Sequence, residues 1–298
     1  MSLKIMKPNI RDLLAQRKPI VFDGATATLL RARGLPKHDL PETWVLNDAI
    51  QVFAVAQSYV NAGAQIISTC TFNATTFALR SADLDARADE INRRAVELAR
   101  DAAKDRACVA GTIGPLGELA LAMNLLTYVE AVSAYTEQAR SLVDAGVDLL
   151  YIETMSDLQE TRAAIEGARR VTDLPIFVTM SFDTEGRTAL GVPPDVAAQV
   201  LVDLKVDALG ANCGRGPEPL SAILRAMQRA DPKIPLIAKP NTGNPSERLG
   251  GAPLPIDPAR FAVHAREWIR AGAKILGGCC GTAPEHIAAL RAMVGGGQ

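Results

Sequence analysis

The segment Val143–Thr154, VDAGVDLLYIET, carries the clearest signal of the fold, because one element ends and another begins within it. Its glycine suits the left-handed conformation that closes a helix, and the apolar run after it is typical of a strand buried on both faces. The same junction recurs at Val60–Thr69, VNAGAQIIST, and at Ile269–Gly278, IRAGAKILGG. Three copies of this helix–glycine–strand junction predict a repeating αβ unit.

Short runs rich in Val, Ile and Leu recur along the whole chain, with amphipathic stretches between most of them. Eight such runs occur, at 19–22, 65–69, 107–112, 148–153, 175–181, 207–212, 235–239 and 274–277. Eight strands alternating with helices predict an α/β fold, a single (β/α)8 TIM barrel, with a doubly wound sheet as the alternative. No linker-like segment divides the chain, so we expect one domain over residues 1–298, with a long loop at Pro240–Pro258.

Composition and charge exclude several classes of function. The formal net charge is -1 and no run of basic residues appears, which argues against nucleic acid as a partner. No apolar stretch reaches the roughly 18 residues that a membrane span needs. The charged N-terminus lacks the apolar core of a signal peptide, so we expect a cytoplasmic protein whose five cysteines are reduced.

Active sites of such barrels lie at the carboxyl ends of the strands, and three cysteines follow predicted strands. Cys213 follows the sixth, and Cys279 and Cys280 follow the eighth within GGCCGT. The glycines around the pair free the backbone from strict alternation, so both thiols are able to face one point. Three thiolates leave one position of a zinc tetrahedron open, but a redox dithiol or simple packing remains possible on pattern alone. We expect Cys108, inside the third strand, to be a buried filler.

Zinc held by three thiolates favours one kind of chemistry. Hydrolytic zinc sites more often use neutral histidine ligands. A thiol that enters the open position loses its proton there and becomes a nucleophile. The pattern therefore favours activation of a thiol substrate for methylation.

Seven segments in order resemble the zinc-dependent homocysteine S-methyltransferase family. They are FDGATATLL at 22–30, AGAQIISTCTFNATTFAL at 62–79, VAGTIGPLG at 109–117, LYIETMSDLQE at 150–160, LGANCGRGPEPL at 209–220, KPNTGNP at 239–245 and GGCCGTAPEHIAAL at 277–290. The chain is especially similar to the homocysteine-binding module of cobalamin-dependent methionine synthase. The most specific signal is the combination of Asn212–Cys213 with Gly277–Gly281.

This resemblance implies homocysteine as the methyl acceptor and zinc (Zn2+) as the cofactor in a (β/α)8 barrel. It implies zinc ligation by Cys213, Cys279 and Cys280, with Asn241 capping the metal when substrate is absent. It implies that Asp23 and Glu153 bind the substrate ammonium group, and that the backbone at Gly24 approaches the substrate carboxylate. The alternative is a structural ion pair or helix cap for the two acids, and a plain turn residue for Asn241.

The methyl donor stays open between a separate methyl-corrinoid protein and an onium compound such as betaine or S-methylmethionine. The shortage of aromatic residues, 4% of the chain, argues against a betaine box. A selenium analogue such as selenocysteine is an alternative acceptor. Cys70 stands where the family usually carries asparagine, and DGATAT replaces the commoner DGAMGT.

Two other classes of function remain as alternatives. An aldolase-type barrel enzyme would place phosphate near Gly277–Gly278 and needs a strand-end lysine, for which Lys239 is the one candidate. A redox-sensing or zinc-storing protein would need no amino-acid pocket, so Asp23 and Glu153 would be replaceable.

Overall fold

A computed structural model describes residues 8–117, 119–183, 185–243 and 256–296 of the 298-residue chain. The strands in these ranges are β1 (Ile20–Val21), β2 (Ile66–Ser68), β3 (Cys108–Ile113), β4 (Leu149–Met155), β5 (Ile176–Met180), β6 (Ala208–Cys213), β7 (Leu236–Pro240) and β8 (Ala273–Leu276). The helices are α1 (Ile10–Ala15), α2 (Thr26–Ala32), α3 (Thr43–Asn47), α4 (Ala49–Asn61), α5 (Thr76–Leu79), α6 (Ala88–Ala103), α7 (Tyr128–Asp144), α8 (Leu158–Arg169), α9 (Pro194–Asp203), α10 (Leu220–Gln228), α11 (Pro258–Arg270) and α12 (Pro284–Gly295). Short 3-10 turns lie at Arg80–Ala82 and Asp85–Arg87.

The strands form one parallel sheet that closes on itself. Their order is β1-β8-β7-β6-β5-β4-β3-β2, so the last strand pairs with the first. The ring is completed by a parallel bridge between Phe22 and Ile66 and by the amide of Gln65, which donates to the carbonyl of Val21 at 2.7 Å. The predicted (β/α)8 barrel is confirmed, and the doubly wound alternative is wrong.

The predicted strand positions agree with the observed ones to within two residues at either end. The glycines of the three repeated junctions adopt the expected left-handed backbone, with φ of 95° at Gly63, 92° at Gly146 and 99° at Gly272. Each lies in the short turn before a strand, where the outer helix reverses into the barrel. Most of the predicted loop after β7 falls in 244–255, outside the described residues.

Two apolar layers hold the barrel together. Inside the ring, inward side chains such as Ile20, Phe22, Tyr151 and Phe177 form a fully buried cluster, and the outward side chains of the strands pack against the helices. Cys108 is fully buried in the inner cluster, as expected of a small apolar residue. The inner cluster also packs against Ile10, Leu13 and Leu14 of α1, so that helix covers the amino-terminal mouth of the barrel.

Candidate metal centre and active site

A floor of polar side chains covers the apolar interior at the carboxyl ends of the strands. Successive strand residues alternate between faces, so the inward position above Tyr151 is Glu153 and the one above Ile237 is Lys239. The same spacing brings Ser68 and Thr112 inward from β2 and β3. We call Ser68, Thr112, Glu153 and Lys239 the polar floor, since all four line one cavity.

The cavity above the polar floor has a volume of about 370 Å³. It contains the predicted cysteines together with the loops that follow β1 and β2. Its lining residues are 24–28, Arg31, 41–42, 68–73, Thr112, 153–154, Cys213, Lys239 and 278–280. A cavity of this size lies within the range of small-molecule binding sites.

The three predicted cysteines converge at one wall of this cavity. Their sulfur atoms all lie within 4.8 Å of one another, and the sulfur atoms of Cys213 and Cys279 are 2.7 Å apart. Two thiolates on one tetrahedral zinc are separated by about 3.8 Å, from Zn–S bonds of about 2.3 Å. The cluster therefore has about the dimensions of a single-ion site, and its closest pair would have to separate by about one ångström for both sulfurs to bind one zinc ion.

Backbone shape brings the three thiols together. Cys213 ends β6 with a φ of 57°, a left-handed conformation rare for a residue with a side chain. Strand β7 lies between the two cysteine segments, and the chain at its end ties them together. The amide of Asn241 donates to the carbonyl of Cys213 on one side, and the amide of Thr242 donates to the carbonyl of Cys280 on the other. Gly281 has a φ of 83° and packs against Thr242 so closely that a Cβ atom would overlap its hydroxyl. The expectation that glycine shapes this loop is confirmed there.

Thr282 and Tyr59 anchor the cysteine loop to the loop after β1, and sequence reasoning missed both. The Thr282 hydroxyl donates to the carbonyl of Cys279 at 2.7 Å and accepts from the amide of Ala25 at 3.1 Å. The Tyr59 hydroxyl lies 3.1 Å from the carbonyl of Ala25 and 3.2 Å from that of Thr282. A Cβ atom on Gly24 would approach the same two hydroxyls within 2.9 Å.

The sulfur cluster favours one ionised thiol. Hydrogen bonds from Cys213 and Cys279 lower the pKa of Cys280 to about 3. The hydrogen bond to Cys279, followed by that to Cys280 and by burial, raises the pKa of Cys213 well above the usual range of a thiol. The cluster thus offers a thiolate at neutral pH, which is the form that binds a metal.

Asn241 contributes an acceptor that no described residue uses. Its side-chain amide donates to the carbonyl of Gly214 at 3.0 Å, and its backbone amide donates to the carbonyl of Cys213 at 3.2 Å. Its buried Oδ1 has no hydrogen-bond partner among the described residues. A buried acceptor without a donor is costly, and an oxygen that caps a cation removes that cost. The three thiols form a group that is able to hold a metal ion, and the unpaired oxygen of Asn241 belongs to a residue whose backbone bonds to one of them.

Asn212 links the cysteines to β4, although sequence reasoning used it only as part of a motif. Its Oδ1 accepts from the amide of Thr154 at 3.0 Å, and its Nδ2 donates to the hydroxyl of Thr154 at 2.7 Å. The same Nδ2 lies 3.7 Å from the sulfur of Cys279. Thr154 is held with a φ of 62°, and its neighbour Glu153 lines the cavity.

Asp23 lies in a buried ion pair whose partner, Lys239, was not predicted from the sequence. Its Oδ1 is 2.8 Å from the Lys239 ammonium, and both side chains are at most 3% exposed. Its other contacts are with Ser68, whose amide donates to Oδ2 at 2.6 Å and whose hydroxyl donates to Oδ1 at 3.1 Å. Lys239 lines the cavity and Asp23 does not. The structural ion pair named as the alternative for Asp23 is therefore present.

Glu153 and Cys70 both line the cavity. Burial raises the pKa of Glu153 to about 7, against the opposing effect of the Lys239 charge.

Burial, together with the negative charge of Glu42, raises the pKa of the Cys70 thiol well above its usual range. Cys70 is therefore a neutral wall residue at physiological pH.

The family model for homocysteine S-methyltransferase matches residues 20–294 of the chain. The chain belongs to this family. It is 31% identical to a methionine synthase of Mycobacterium tuberculosis and 30% identical to one of Mycobacterium leprae, in each case over 96% of this chain. The chain spans about a quarter of the length of these curated relatives, 25% in each case.

Solved structures of the homocysteine methyltransferase MmuM from Escherichia coli share the fold over their whole length. The oxidised form matches with a TM-score of 0.82 and 27% identity, covering 95% of this chain and 98% of that one. The metallated form matches with a TM-score of 0.81 and 28% identity, covering 95% and 99%. A DHDPS from Cyanidioschyzon merolae, at 15% identity and a TM-score of 0.51, shares the barrel fold alone. The resemblance inferred from the motifs is confirmed.

The sequence also predicts that no segment spans a membrane. Among the described residues, each helix is too short or too polar to cross a bilayer.

Proposed function

We propose that the chain is a zinc-dependent homocysteine S-methyltransferase, which transfers a methyl group to the homocysteine thiol and gives methionine. The observation that carries this proposal is the convergence of Cys213, Cys279 and Cys280 in a cavity at the carboxyl ends of the strands, in a chain of this family. When bound, zinc would supply the positive charge that keeps a substrate thiol deprotonated at neutral pH.

The chain's own residues would hold the metal and orient the substrate. Cys213, Cys279 and Cys280 would supply three ligands, and the free Oδ1 of Asn241 would cap the remaining position until substrate arrives. Glu153 would accept the substrate ammonium group from its place on the polar floor. The roles expected of Asp23 as a second acid and of Gly24 as a backbone donor to the carboxylate stay predictions.

The proposal leaves two alternatives for the methyl donor, a separate methyl-corrinoid protein or an onium compound. The similarity to methionine synthases and to MmuM is consistent with both donors and does not choose between them. A single domain over 1–298, a cytoplasmic location and the absence of a nucleic-acid partner stay predictions.

Metal content of freshly reduced protein tests the proposal directly. We expect about one zinc per chain in the wild type and much less in Cys280→Ser, with a proton released when homocysteine binds. Cys108→Ala is the matched control, since Cys108 is buried in the barrel interior away from the cavity. A folded, reduced wild type without zinc, or zinc binding that survives Cys280→Ser, would contradict the proposal.

A zinc-storing protein would pass that test, so a second measurement separates the two functions. Glu153→Gln keeps the shape of the side chain and removes its charge. We expect it to retain zinc and to bind homocysteine at least tenfold more weakly, because a charge-assisted hydrogen bond is lost. Unchanged homocysteine binding would remove Glu153 from the site.

A further inference from the structure

Helix α2 forms one wall of the cavity and is only weakly fixed by its own sequence. Four of its residues line the cavity, Thr26, Ala27, Thr28 and Arg31. Of its seven residues, all of them described, Leu30 alone is buried. Its N-cap is Ala25, which lacks the side-chain oxygen that preferred N-cap residues supply. A helix of two turns is marginal by itself, so α2 depends on the segments that it touches.

The cysteine loop, residues 277–283 between β8 and α12, holds the start of this helix. The Thr282 hydroxyl accepts from the amide of Ala25 at 3.1 Å, and the hydroxyl of Thr28 accepts from the amide of Gly281 at 3.2 Å. The first bond satisfies an amide at the N-terminus of α2, where no intrahelical acceptor exists. The second satisfies an amide of the loop itself. Helix and loop therefore supply each other's missing hydrogen-bond partners.

Thr282 is the centre of this contact. Its side chain is fully buried, and its hydroxyl donates to the carbonyl of Cys279 at 2.7 Å while it accepts from Ala25. Two glycines make room for it, since a Cβ atom would lie 2.6 Å from the hydroxyl oxygen at Gly24 and 2.5 Å from it at Gly278. Thr282 lies outside the lining of the cavity. It therefore acts on the cavity only through the groups that it holds in place.

An ion bound by the three cysteines would restrain one end of this chain of contacts. Cys213 lies on β6 and Cys279 on the cysteine loop, so a shared ion would fix the loop to the barrel. Thr282 bonds to Cys279 and to Ala25, and the same restraint thus reaches the start of α2. Binding that makes a protein more rigid lowers the entropic cost of binding at a second site that needs the same order. The substrate cavity is such a second site, because α2 is one of its walls.

We propose that Thr282 is a positioning residue that couples metal binding by the cysteines to the ordering of α2. The wall of the substrate cavity is then in place when the metal site is filled, and not before. Thr28 contributes to the coupling through Gly281. The inference rests on the proposed function and deepens it, since it names a residue that serves the site without touching metal or substrate.

Hydrogen exchange of the reduced protein, with and without zinc, tests the coupling. In the wild type we expect zinc to slow exchange about tenfold or more both in the cysteine loop and in residues 24–32, as an added restraint on local opening warrants. Thr282→Val keeps the shape of the side chain and removes the hydroxyl. In this variant zinc should still slow exchange in the cysteine loop, while its effect on residues 24–32 should fall to about twofold or less. Thr282→Ser keeps the hydroxyl and should restore that effect, and Thr28→Val, which removes the bond to Gly281, should weaken it.

Zinc affinity gives a second readout, because coupling between two sites is reciprocal. Thr282→Val should bind zinc about 10- to 100-fold more weakly than the wild type, measured by competition with a chelator. Thr161→Val is the matched control, since Thr161 on α8 is just as buried and its hydroxyl donates to the carbonyl of Asp157 at 2.6 Å. Thr161 lies outside the cavity lining, so this variant should keep both the zinc affinity and the exchange pattern of the wild type.

The outcomes separate the coupling from a purely structural role and from the function beneath it. A wild type in which zinc protects the cysteine loop and leaves residues 24–32 unchanged would overturn the coupling, and this comparison needs no variant. Faster exchange in Thr282→Val with the zinc effect on α2 intact would show that Thr282 only stabilises the fold, which also overturns the coupling. A reduced, folded wild type that binds no zinc would overturn the proposed function, and the coupling with it.

Discussion

Asn212 lies between the cysteine cluster and the end of β4, and its side chain makes three contacts there. It hydrogen-bonds to both the amide and the hydroxyl of Thr154, which has a left-handed backbone, and its Nδ2 lies 3.7 Å from the sulfur of Cys279. Groups that donate to metal ligands orient them and tune their basicity. If the cysteines hold zinc as proposed, Asn212 would therefore influence metal binding without being a ligand itself.

Asn212→Ala should weaken zinc binding by about 10- to 100-fold, the range typical when the hydrogen-bond partner of a metal ligand is lost. Competition with a chelator of known affinity measures the effect. Asn212→Asp is the matched comparison, since it keeps an acceptor for the Thr154 amide and removes the donor to Cys279. Zinc affinity equal to wild type in both variants would show that this hydrogen bond is dispensable.

At the scale of elements, the loop after β8 depends on Gly281, which has a left-handed backbone and lies against Thr242. Gly146 has the same left-handed backbone, with a φ of 92°, but no atom lies within 4 Å of the position that a Cβ would take. Substituting alanine at the two glycines therefore distinguishes the effect of backbone strain, present at both, from that of steric overlap, present only at Gly281.

Gly146→Ala should lower the free energy of unfolding by about 1 to 2 kcal/mol through backbone strain alone, with zinc affinity unchanged. Gly281→Ala should lose zinc affinity as well, because the added methyl displaces Thr242 and with it the amide that holds the Cys280 carbonyl. Denaturant unfolding and chelator competition on the same samples compare the two. Equal zinc affinities would contradict the steric argument.

The elements themselves were largely predictable from the sequence. Continuous apolar runs identify strands buried on both faces, and the glycine turns before β2, β4 and β8 indicate where strands begin. The three cysteines were predictable because strand ends of a parallel barrel share one rim. The contacts of Lys239 with Asp23 and of Asn212 with Thr154 were not, since they join residues 216 and 58 positions apart, and a single sequence carries no signal for such pairs.

At the scale of the whole molecule, the proposed zinc would act as a cross-link between β6 and β8. A ligand that binds only the folded state stabilises it by about 4 kcal/mol at a thousandfold excess over its dissociation constant. Chelation of zinc should therefore lower the melting temperature by several degrees. Scanning calorimetry with and without chelator measures the shift, and Cys280→Ser should show almost none; an equal shift in that variant would place the effect outside the cluster.

The pairing of β1 with β8 also sets an order of events during synthesis. The first strand has no partner on one side until the last strand has been made, and Cys279 follows Cys213 by 66 residues. At about 5 to 20 residues per second, the second part of the thiol cluster leaves the ribosome about 3 to 13 s after the first. Cys213 is therefore made several seconds before the other two thiols of its cluster, and binding of the proposed zinc would be a late step that coincides with the closing of the ring.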